Sequence, residues 1–376
     1  MLRIVNKLVK LLAEGRFDFG HPGKHNIVVY DSLTGGLLTK MLDFPKRTFQ
    51  MNVRQEIIYA HPYILAKFLL KAIVFRKQLR VAYEASVLEL LCPKLVLTFL
   101  DNDGTFGEVA KQVDARFIAI QNGFRTSQCF SRINFAPEAF LFGQRCIDNY
   151  AKFEIESNSL IRAGSIKVSH CYKINGNSFK RSKSFDVLLV SSYQLGMENG
   201  ASEDQEPIRL NLNKGTALIS DYLLRFISSR GLRVGILLWG SGADGARELK
   251  YFSRIFRDKV EYIEKSQAIE GSYLRVLESE LTLSYGSTLG YEAISMGKKA
   301  MFFPRPEEDV YCLEGADHFA FKTETGSYEE FESNLERLLK LSSEEYQNEL
   351  GWLCEYVVAK RVDLVDRVNE IISKYS

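Results

Sequence analysis

Short apolar runs alternate with helical patterns along the first half of the chain. These runs, each bounded by Gly, Asn or Asp, are HNIVVYD from 25, KLVLTFLD from 94, ARFIAIQ from 115, EAFLFG from 138 and IRAGSI from 161. Runs rich in β-branched and aromatic residues are typical of strands buried in a parallel sheet. The stretch 52–91 is apolar with helical spacing and predicts one or two helices that cover this sheet.

A second alternation follows a polar, basic stretch at 173–184, which has no apolar periodicity and suits a linker. Beyond it, predicted strands begin at 185, 232, 259, 281 and 299. Predicted helices lie between the strands and include 246–257, 271–279 and 289–296. Strands and helices that alternate with short connections form right-handed βαβ units. The predicted fold class is therefore α/β, with two Rossmann-like, doubly wound lobes that face a cleft.

The predicted lobes comprise residues 1–180 and 181–360, and a C-terminal helix comprises 361–376. Helical patterns continue through 330–374, where 343–372 is interpreted as one long helix. We expect the last helix to cross back to the first lobe, since a two-lobed protein needs such a connection.

Composition and charge bear on the partners of the protein. Of its 376 residues 46% are hydrophobic, which is typical of a folded globular protein. A formal net charge of +2 provides no global field to hold nucleic acid, so no nucleic-acid partner is expected. The six cysteines occur singly, without a CxxC pair, which indicates reduced thiols and a cytoplasmic protein.

The first 17 residues have helical periodicity but are too charged and too short in their apolar run for a signal peptide or a membrane span. One face carries Leu2, Val5, Leu8, Val9 and Leu12, and basic residues lie elsewhere. Two interpretations stay open. The segment is either a packed terminal helix or a helix in peripheral contact with the inner face of a membrane.

The segment that indicates a binding site most clearly is residues 281–304, LTLSYGSTLGYEAISMGKKAMFFP. A strand ends at Tyr285, a Gly-Ser-Thr turn follows, and a helix begins there. The free backbone N–H groups and dipole of such a helix start bind phosphate, and Ser287 and Thr288 add hydroxyl groups. Glu292, one turn further, can accept hydrogen bonds from two neighbouring sugar hydroxyls. The alternative is an ordinary helix cap followed by a solvated carboxylate.

This segment resembles the donor-nucleotide segment of GT-B glycosyltransferases, especially that of bacterial surface carbohydrate (polysaccharide) biosynthesis proteins. Four other strings are similar to the same family: TFLDNDGTFGEVA at 98, FIAIQNGFR at 117, FLFGQRCIDNY at 140 and AGSIKVSHCYK at 163. The resemblance covers about residues 95–320. It implies transfer of a sugar from a nucleotide-activated donor, held by the C-terminal lobe, to a growing surface glycan at the N-terminal lobe. A lipid-linked glycan is one form of acceptor that the resemblance implies.

The resemblance also implies donor contacts in the loops and helix starts that follow the strands of the C-terminal lobe. The implied residues are Ser191, Ser192, Gly240, Ser241, Gly242, Ser272, Tyr273, Ser287, Thr288 and Glu292. Ser287 and Thr288 would contact phosphate, Glu292 the ribose, and the helix start at Ser272 and Tyr273 the base. Beyond the nucleotide-sugar, which is a substrate, no cofactor is expected.

On the opposite side of the expected cleft, Asp101 and Asp103 directly follow an apolar strand. Either carboxylate could take the proton from an acceptor hydroxyl as general base. Two alternatives stay open: a DxD pair that holds a divalent cation, and an Asx turn that begins a helix. The scattered histidines show no metal-ligand spacing, so we expect no metal.

Residues 121–125 end the next predicted strand and should line the same cleft. Gln121, Asn122, Gly123 and Arg125 are the predicted substrate-binding residues, because Arg125 can form two hydrogen bonds to a carboxylate or phosphate. Three other functions fit the same fold: a polyol-phosphate transferase with a CDP-activated donor, a UDP-sugar 2-epimerase, and a non-catalytic scaffold of glycan biosynthesis.

Overall fold

The computed structural model describes residues 16–52, 57–74, 78–125, 127–176, 183–193, 207–303 and 326–376. The basic, amphipathic segment 1–15, for which membrane contact was one expectation, lies outside the described residues. Among the described helices none is long and apolar enough to cross a membrane.

The first part of the chain forms a six-stranded parallel sheet. Its strands are β2 (Ile27–Val29), β3 (Phe49–Gln50), β5 (Leu95–Thr98), β6 (Arg116–Ile120), β7 (Phe135–Leu141) and β8 (Glu156–Arg162), in the order β3-β2-β5-β6-β7-β8. Two further short strands, β1 (Arg16–Asp18) and β4 (Ile57–Tyr59), pair with each other in parallel. The helices of this part are α1 (Ser32–Met41), α2 (Pro62–Val74), α3 (Leu79–Leu91), α4 (Gly104–Ala110), α5 (Ser127–Phe130), α6 (Gln144–Lys152) and α7 (Ile166–Asn175).

The second part forms a five-stranded parallel sheet. Its strands are β9 (Phe185–Val190), β10 (Val234–Leu237), β11 (Glu261–Ile263), β12 (Ser279–Tyr285) and β13 (Lys299–Phe303), in the order β11-β10-β9-β12-β13. Its helices are α8 (Pro207–Ser228), α9 (Gly242–Phe256), α10 (Gly271–Leu277), α11 (Thr288–Ser295), α12 (Tyr328–Lys340) and α13 (Ser343–Val357), and the chain ends with α14 (Leu364–Ser373).

The central strands have apolar side chains on both faces. In β5, Val96 belongs to one buried cluster, whereas Leu95 and Leu97 belong to another on the opposite face. All four residues of β5 are buried, and so are all five of β13, although β13 is the last strand of its sheet. Strands covered on both faces have near-continuous apolar sequences, which explains why the sequence pattern located them. The predicted α/β class with two doubly wound sheets is confirmed.

The strand predicted over IRAGSI at 161 is wrong in its position. The strand β8 runs over Glu156–Arg162 and lies at the edge of its sheet, where its first four side chains are exposed. A polar edge strand has no apolar run that a sequence pattern can detect. Ser165 then begins α7, because its hydroxyl accepts a hydrogen bond from the Val168 N–H. The predicted linker at 173–184 is also too long, since α7 continues to Asn175.

The single long helix predicted over 343–372 is wrong as well. It is two helices, because the backbone is extended at Val358 (φ −139°, ψ 101°). The segment between them is held by hydrogen bonds to the first part of the chain, from Ala359 N–H to Phe142 O and from Ser169 Oγ to Val362 O. Helix α14 then contributes buried side chains to the cluster that contains Leu95 and Leu97 of β5. The last helix therefore packs on the first sheet.

Candidate functional site

The turn between β12 and α11 connects the strand to the helix through only two residues, Gly286 and Ser287. Gly286 has φ of +63°, a conformation that residues with a side chain rarely adopt. Ser287 is the N-cap of α11, and its Oγ accepts a hydrogen bond from Leu289 N–H. Parallel strands place such turns at the carboxyl edge of the sheet, where ligands of open α/β sheets bind.

Glu292 is buried behind this turn, with 1% of its surface exposed. One carboxylate oxygen accepts a hydrogen bond from Ser165 Oγ at 2.5 Å, and the other accepts one from Tyr273 OH at 2.8 Å. Burial raises the pKa of Glu292, an effect that nearby Lys167 and the two hydroxyl groups oppose. Ser165 belongs to the first part of the chain and Tyr273 to the second, so the carboxylate joins both.

The loop after β6 contacts the same turn from the first sheet. Phe124 N–H donates a hydrogen bond to Thr288 Oγ1 at 3.2 Å, and the Phe124 ring lies 4.2 Å from that of Tyr291, between centroids. A side chain at Gly123 would have its Cβ only 3.1 Å from Thr288 Oγ1. This close approach explains glycine at position 123 and brings the carboxyl ends of β6 and β12 together at the site.

A cavity of about 690 Å³ opens at this junction. Its volume lies within the range of about 300–1,000 Å³ typical of small-molecule sites. The lining residues are Leu37, Lys40, Lys167, Ser191, Ser192, Trp239, Ser241, Lys265, Ser266, Gln267, Ala268, Ile269, Ser272, Tyr273, Gly286, Ser287, Thr288, Leu289 and Glu292. Among them, three lysines face one carboxylate, so the cavity favours an anionic ligand.

Most of the predicted donor residues line this cavity. The eight that do are Ser191, Ser192, Ser241, Ser272, Tyr273, Ser287, Thr288 and Glu292. The other two do not: Gly240 donates its N–H to the buried carboxylate of Glu248 at 2.7 Å, and Gly242 lies exposed at the start of α9. Glu248 also accepts a hydrogen bond from Trp239 N–H, and its bond with Gly240 occupies the backbone N–H of that predicted donor residue.

Asp101 and Asp103 lie outside the lining of this cavity. The carboxylate of Asp101 is buried and accepts hydrogen bonds from Arg125 Nε, at 2.8 Å, and from Arg125 Nη2. Asp103 caps α4 through the Thr105 N–H and forms an ion pair with Arg80 at 2.7 Å. It lines a second cavity of about 620 Å³, formed by the first part of the chain. The role of either aspartate as general base stays a prediction.

The predicted substrate-binding residues form a rigid loop next to the cavity rather than its wall. The Gln121 side chain donates to Gly123 O and accepts from Phe142 N–H. Asn122 donates to Phe99 O at 2.6 Å, while its Oδ1 accepts from Arg125 at 2.5 Å. These side chains therefore fix the backbone that contacts Thr288.

Several cavity residues were missed by the sequence interpretation. Residues 265–269 follow β11, so the rule that ligands lie beyond strand ends could have found them. Trp239 is 58% exposed at the cavity, with Lys265 Nζ 5.3 Å from its ring centroid. Lys40, at the end of α1, has no local signal, since only the tertiary fold brings it to the cavity. No group of three or more potential metal-ligating residues occurs within the described ranges.

Two doubly wound parallel sheets with a cavity lined by residues from both parts of the chain define a GT-B type of protein. Residues 118–350 match the family described as "putative O-antigen biosynthesis protein". The match covers more than half of the chain, and the chain belongs to this family. The resemblance to bacterial surface carbohydrate biosynthesis proteins of the GT-B type is thus confirmed.

Solved structures share the fold at low sequence identity. The S. aureus MnaA structure with UDP is 14% identical, with 94% of this chain and 96% of that chain covered and a TM-score of 0.55. The UDP-GlcNAc 2-epimerase of Methanocaldococcus jannaschii is 14% identical, with 98% and 96% covered and a TM-score of 0.53. The epimerase of Neisseria meningitidis bound to UDP-GlcNAc is 12% identical, with 94% and 100% covered and a TM-score of 0.50. Among curated proteins none matches the sequence.

Proposed function

We propose that the protein is a metal-independent glycosyltransferase that moves a sugar from a nucleotide-activated donor to a growing surface glycan. The observation that carries the proposal is the 690 Å³ cavity, in which a helix N-terminus, three lysines and a buried carboxylate converge. Membership of an O-antigen biosynthesis family supports a glycan as the acceptor. We propose a cytoplasmic site of action, because the six cysteines occur singly, as is typical of reduced thiols.

Each part of the proposed donor has chemically suited residues in the cavity. The start of α11 at Ser287 and Thr288 offers hydroxyl groups and a positive dipole end to the diphosphate. Lys40 and Lys167 supply positive charge from the first sheet, which stabilises the departing phosphate without a metal ion. Each carboxylate oxygen of Glu292 accepts one protein hydroxyl and keeps capacity for a ribose hydroxyl.

The proposed reaction needs a base for the acceptor hydroxyl. Asp101 is the better placed of the two predicted aspartates, because its partner Arg125 follows Phe124, which contacts Thr288 at the cavity. Asp103 faces the second cavity instead. We therefore propose Asp101 as general base, with Arg125 positioning its carboxylate.

A nucleotide screen followed by a product assay tests the proposed function. A ligand at a hundred times its dissociation constant stabilises a protein by about 2.7 kcal/mol, so the preferred diphosphate among CDP, UDP, GDP and TDP should raise the thermal midpoint. A transferase then releases this nucleotide from the sugar donor only when a glycan acceptor is present. Conversion of the donor sugar without any acceptor would instead identify an epimerase, and no response to any nucleotide would reject both.

The raised pKa of Glu292 predicts a pH dependence of stability. In the unfolded chain this carboxyl titrates near its ordinary value of 4.5, and in the folded protein it titrates at a higher pH. Between these values the folded state holds a proton that the unfolded state has lost, so this group's contribution to the free energy of unfolding falls as pH rises. Because Glu292→Gln cannot titrate, the parent should lose stability relative to this variant from pH 4.5 towards neutrality. Urea denaturation of the parent and the variant over this range measures the difference between their free energies of unfolding. A difference that does not change with pH would contradict the raised pKa of Glu292.

A further inference from the structure

Helix α2 has an apolar face that is exposed in the described part of the chain. The exposed fractions are 41% for Leu65, 63% for Leu69, 64% for Leu70 and 66% for Ile73. With 100° per residue these four side chains lie on one side of the helix. The opposite side carries Ile64, which is fully buried where α2 packs against α3. Helix α2 thus has a buried apolar side against α3 and a second apolar side that is exposed.

Such a face marks an interaction surface. Single exposed leucines are ordinary, but monomeric soluble proteins rarely expose a contiguous apolar patch that is rimmed by polar groups. The exposed half of α2 therefore has a partner outside the described part of the chain.

The border of this face identifies the kind of partner. Tyr63 is 41% exposed, and Lys67 Nζ lies 5.6 Å from its ring centroid. Lys67 and Lys71 both pair with Glu89, at 3.6 and 2.9 Å, so two cations meet one anion. Tyrosine and lysine suit a lipid interface, where their apolar parts face acyl chains and their polar tips face headgroups. The excess of one positive charge at this border complements anionic headgroups.

Neighbouring elements extend the same surface. Strand β4 ends at Tyr59, three residues before α2, and pairs with β1. Phe17 in β1 is 37% exposed, and Phe19 directly after it is 68% exposed. The amphipathic, basic sequence of residues 1–15 leads into β1. Exposed aromatic residues in and directly after β1 thus lie near the start of α2, and the basic segment precedes them in the sequence.

We propose that α2 docks on an anionic lipid bilayer and lies in its interface. Leu65, Leu69, Leu70 and Ile73 enter the acyl-chain boundary, and Lys67 stays at the headgroups. The 13 residues of α2 are fewer than the roughly 20 that a membrane-spanning helix needs, so the helix lies along the surface. This docking is independent of which sugar, nucleotide or acceptor the cavity accepts.

Vesicle flotation tests the proposal. The parent protein should float with vesicles of phosphatidylcholine and phosphatidylglycerol, and less with phosphatidylcholine alone. The double variant Leu69→Ser/Ile73→Ser should bind the mixed vesicles at least about tenfold more weakly, because two large aliphatic side chains no longer enter the lipid. The matched control is Ile174→Ser, which replaces a 54% exposed isoleucine in α7 and should bind like the parent. Both replacements lie on exposed surface, and an unchanged thermal midpoint verifies folding.

Three results would overturn the proposal. The first is a parent protein that does not float with the mixed vesicles. The second is a double variant that binds them as tightly as the parent. The third is a parent that is dimeric in light scattering and becomes monomeric in the double variant, since the face would then bind a second copy of the chain.

Discussion

Replacing Glu292 with alanine is expected to weaken nucleotide binding about ten- to a hundredfold, because hydrogen bonds to a charged group contribute about 1.5–3 kcal/mol. The carboxylate lines the cavity, is buried, and is held in place by Ser165 and Tyr273. Its position is therefore fixed before a ligand arrives, so its hydrogen bonds to a ribose require little reorganisation. Isothermal titration with the nucleoside diphosphate that the parent prefers measures this effect.

The matched control for Glu292 is Ser165→Ala. This variant removes the hydroxyl group that joins Glu292 to the first sheet, but it leaves the carboxylate and Tyr273 in the cavity. Nucleotide affinity close to that of the parent is expected. If both variants weaken binding equally, Glu292 acts by holding the two sheets together and not by contacting the ribose.

Replacing Asp101 with asparagine is expected to lower turnover about a hundred- to ten-thousandfold, the usual contribution of general acid–base catalysis, while donor affinity stays near the parent value. Asparagine keeps the shape of the side chain but cannot accept the proton. The replacement also removes the charge that pairs with Arg125, so unfolding must be measured in parallel. Steady-state kinetics with separate turnover and donor KM values give the required comparison.

The control for this substitution is Asp103→Asn, at the aspartate that faces the second cavity and pairs with Arg80. It should cost far less turnover than Asp101→Asn. Parental turnover in the Asp101 variant would exclude Asp101 as the base. Loss of donor affinity in that variant, together with inhibition by a chelator, would favour the metal-binding alternative.

The parts of the fold that could be predicted from the sequence are those whose pattern is strong and local. Strands β5, β9 and β13 are mostly apolar runs, and the turn at Ser287 combines glycine, a capping hydroxyl and a helical period. Strand β8 was misplaced because an exposed edge strand is polar. The break after Val357 was missed because it depends on hydrogen bonds to Phe142 and Ser169, far away in the chain.

The residues of the site divide in the same way, into those with a local sequence signal and those that depend on the tertiary fold. Residues at the ends of β9 and β12 in the second sheet were found, because the sheet edge and the sequence order coincide, whereas residues 265–269 after β11 were missed. Lys40 lines the cavity and Ser165 contacts Glu292, both from the first part of the chain, so their role depends on how the two sheets meet. The glycines at 240 and 242 were placed by the same strand-end rule, but buried Glu248 already occupies the backbone N–H of Gly240. The predicted lobe limits at 180 and 360 stay predictions.

A crystal structure of the complex with the preferred nucleoside diphosphate tests the account most directly. The account predicts phosphate oxygens within hydrogen-bonding distance of Ser287 and Thr288, and ribose hydroxyls at the carboxylate of Glu292. A nucleotide bound elsewhere, for example in the second cavity beside Asp103 and Arg80, would contradict it.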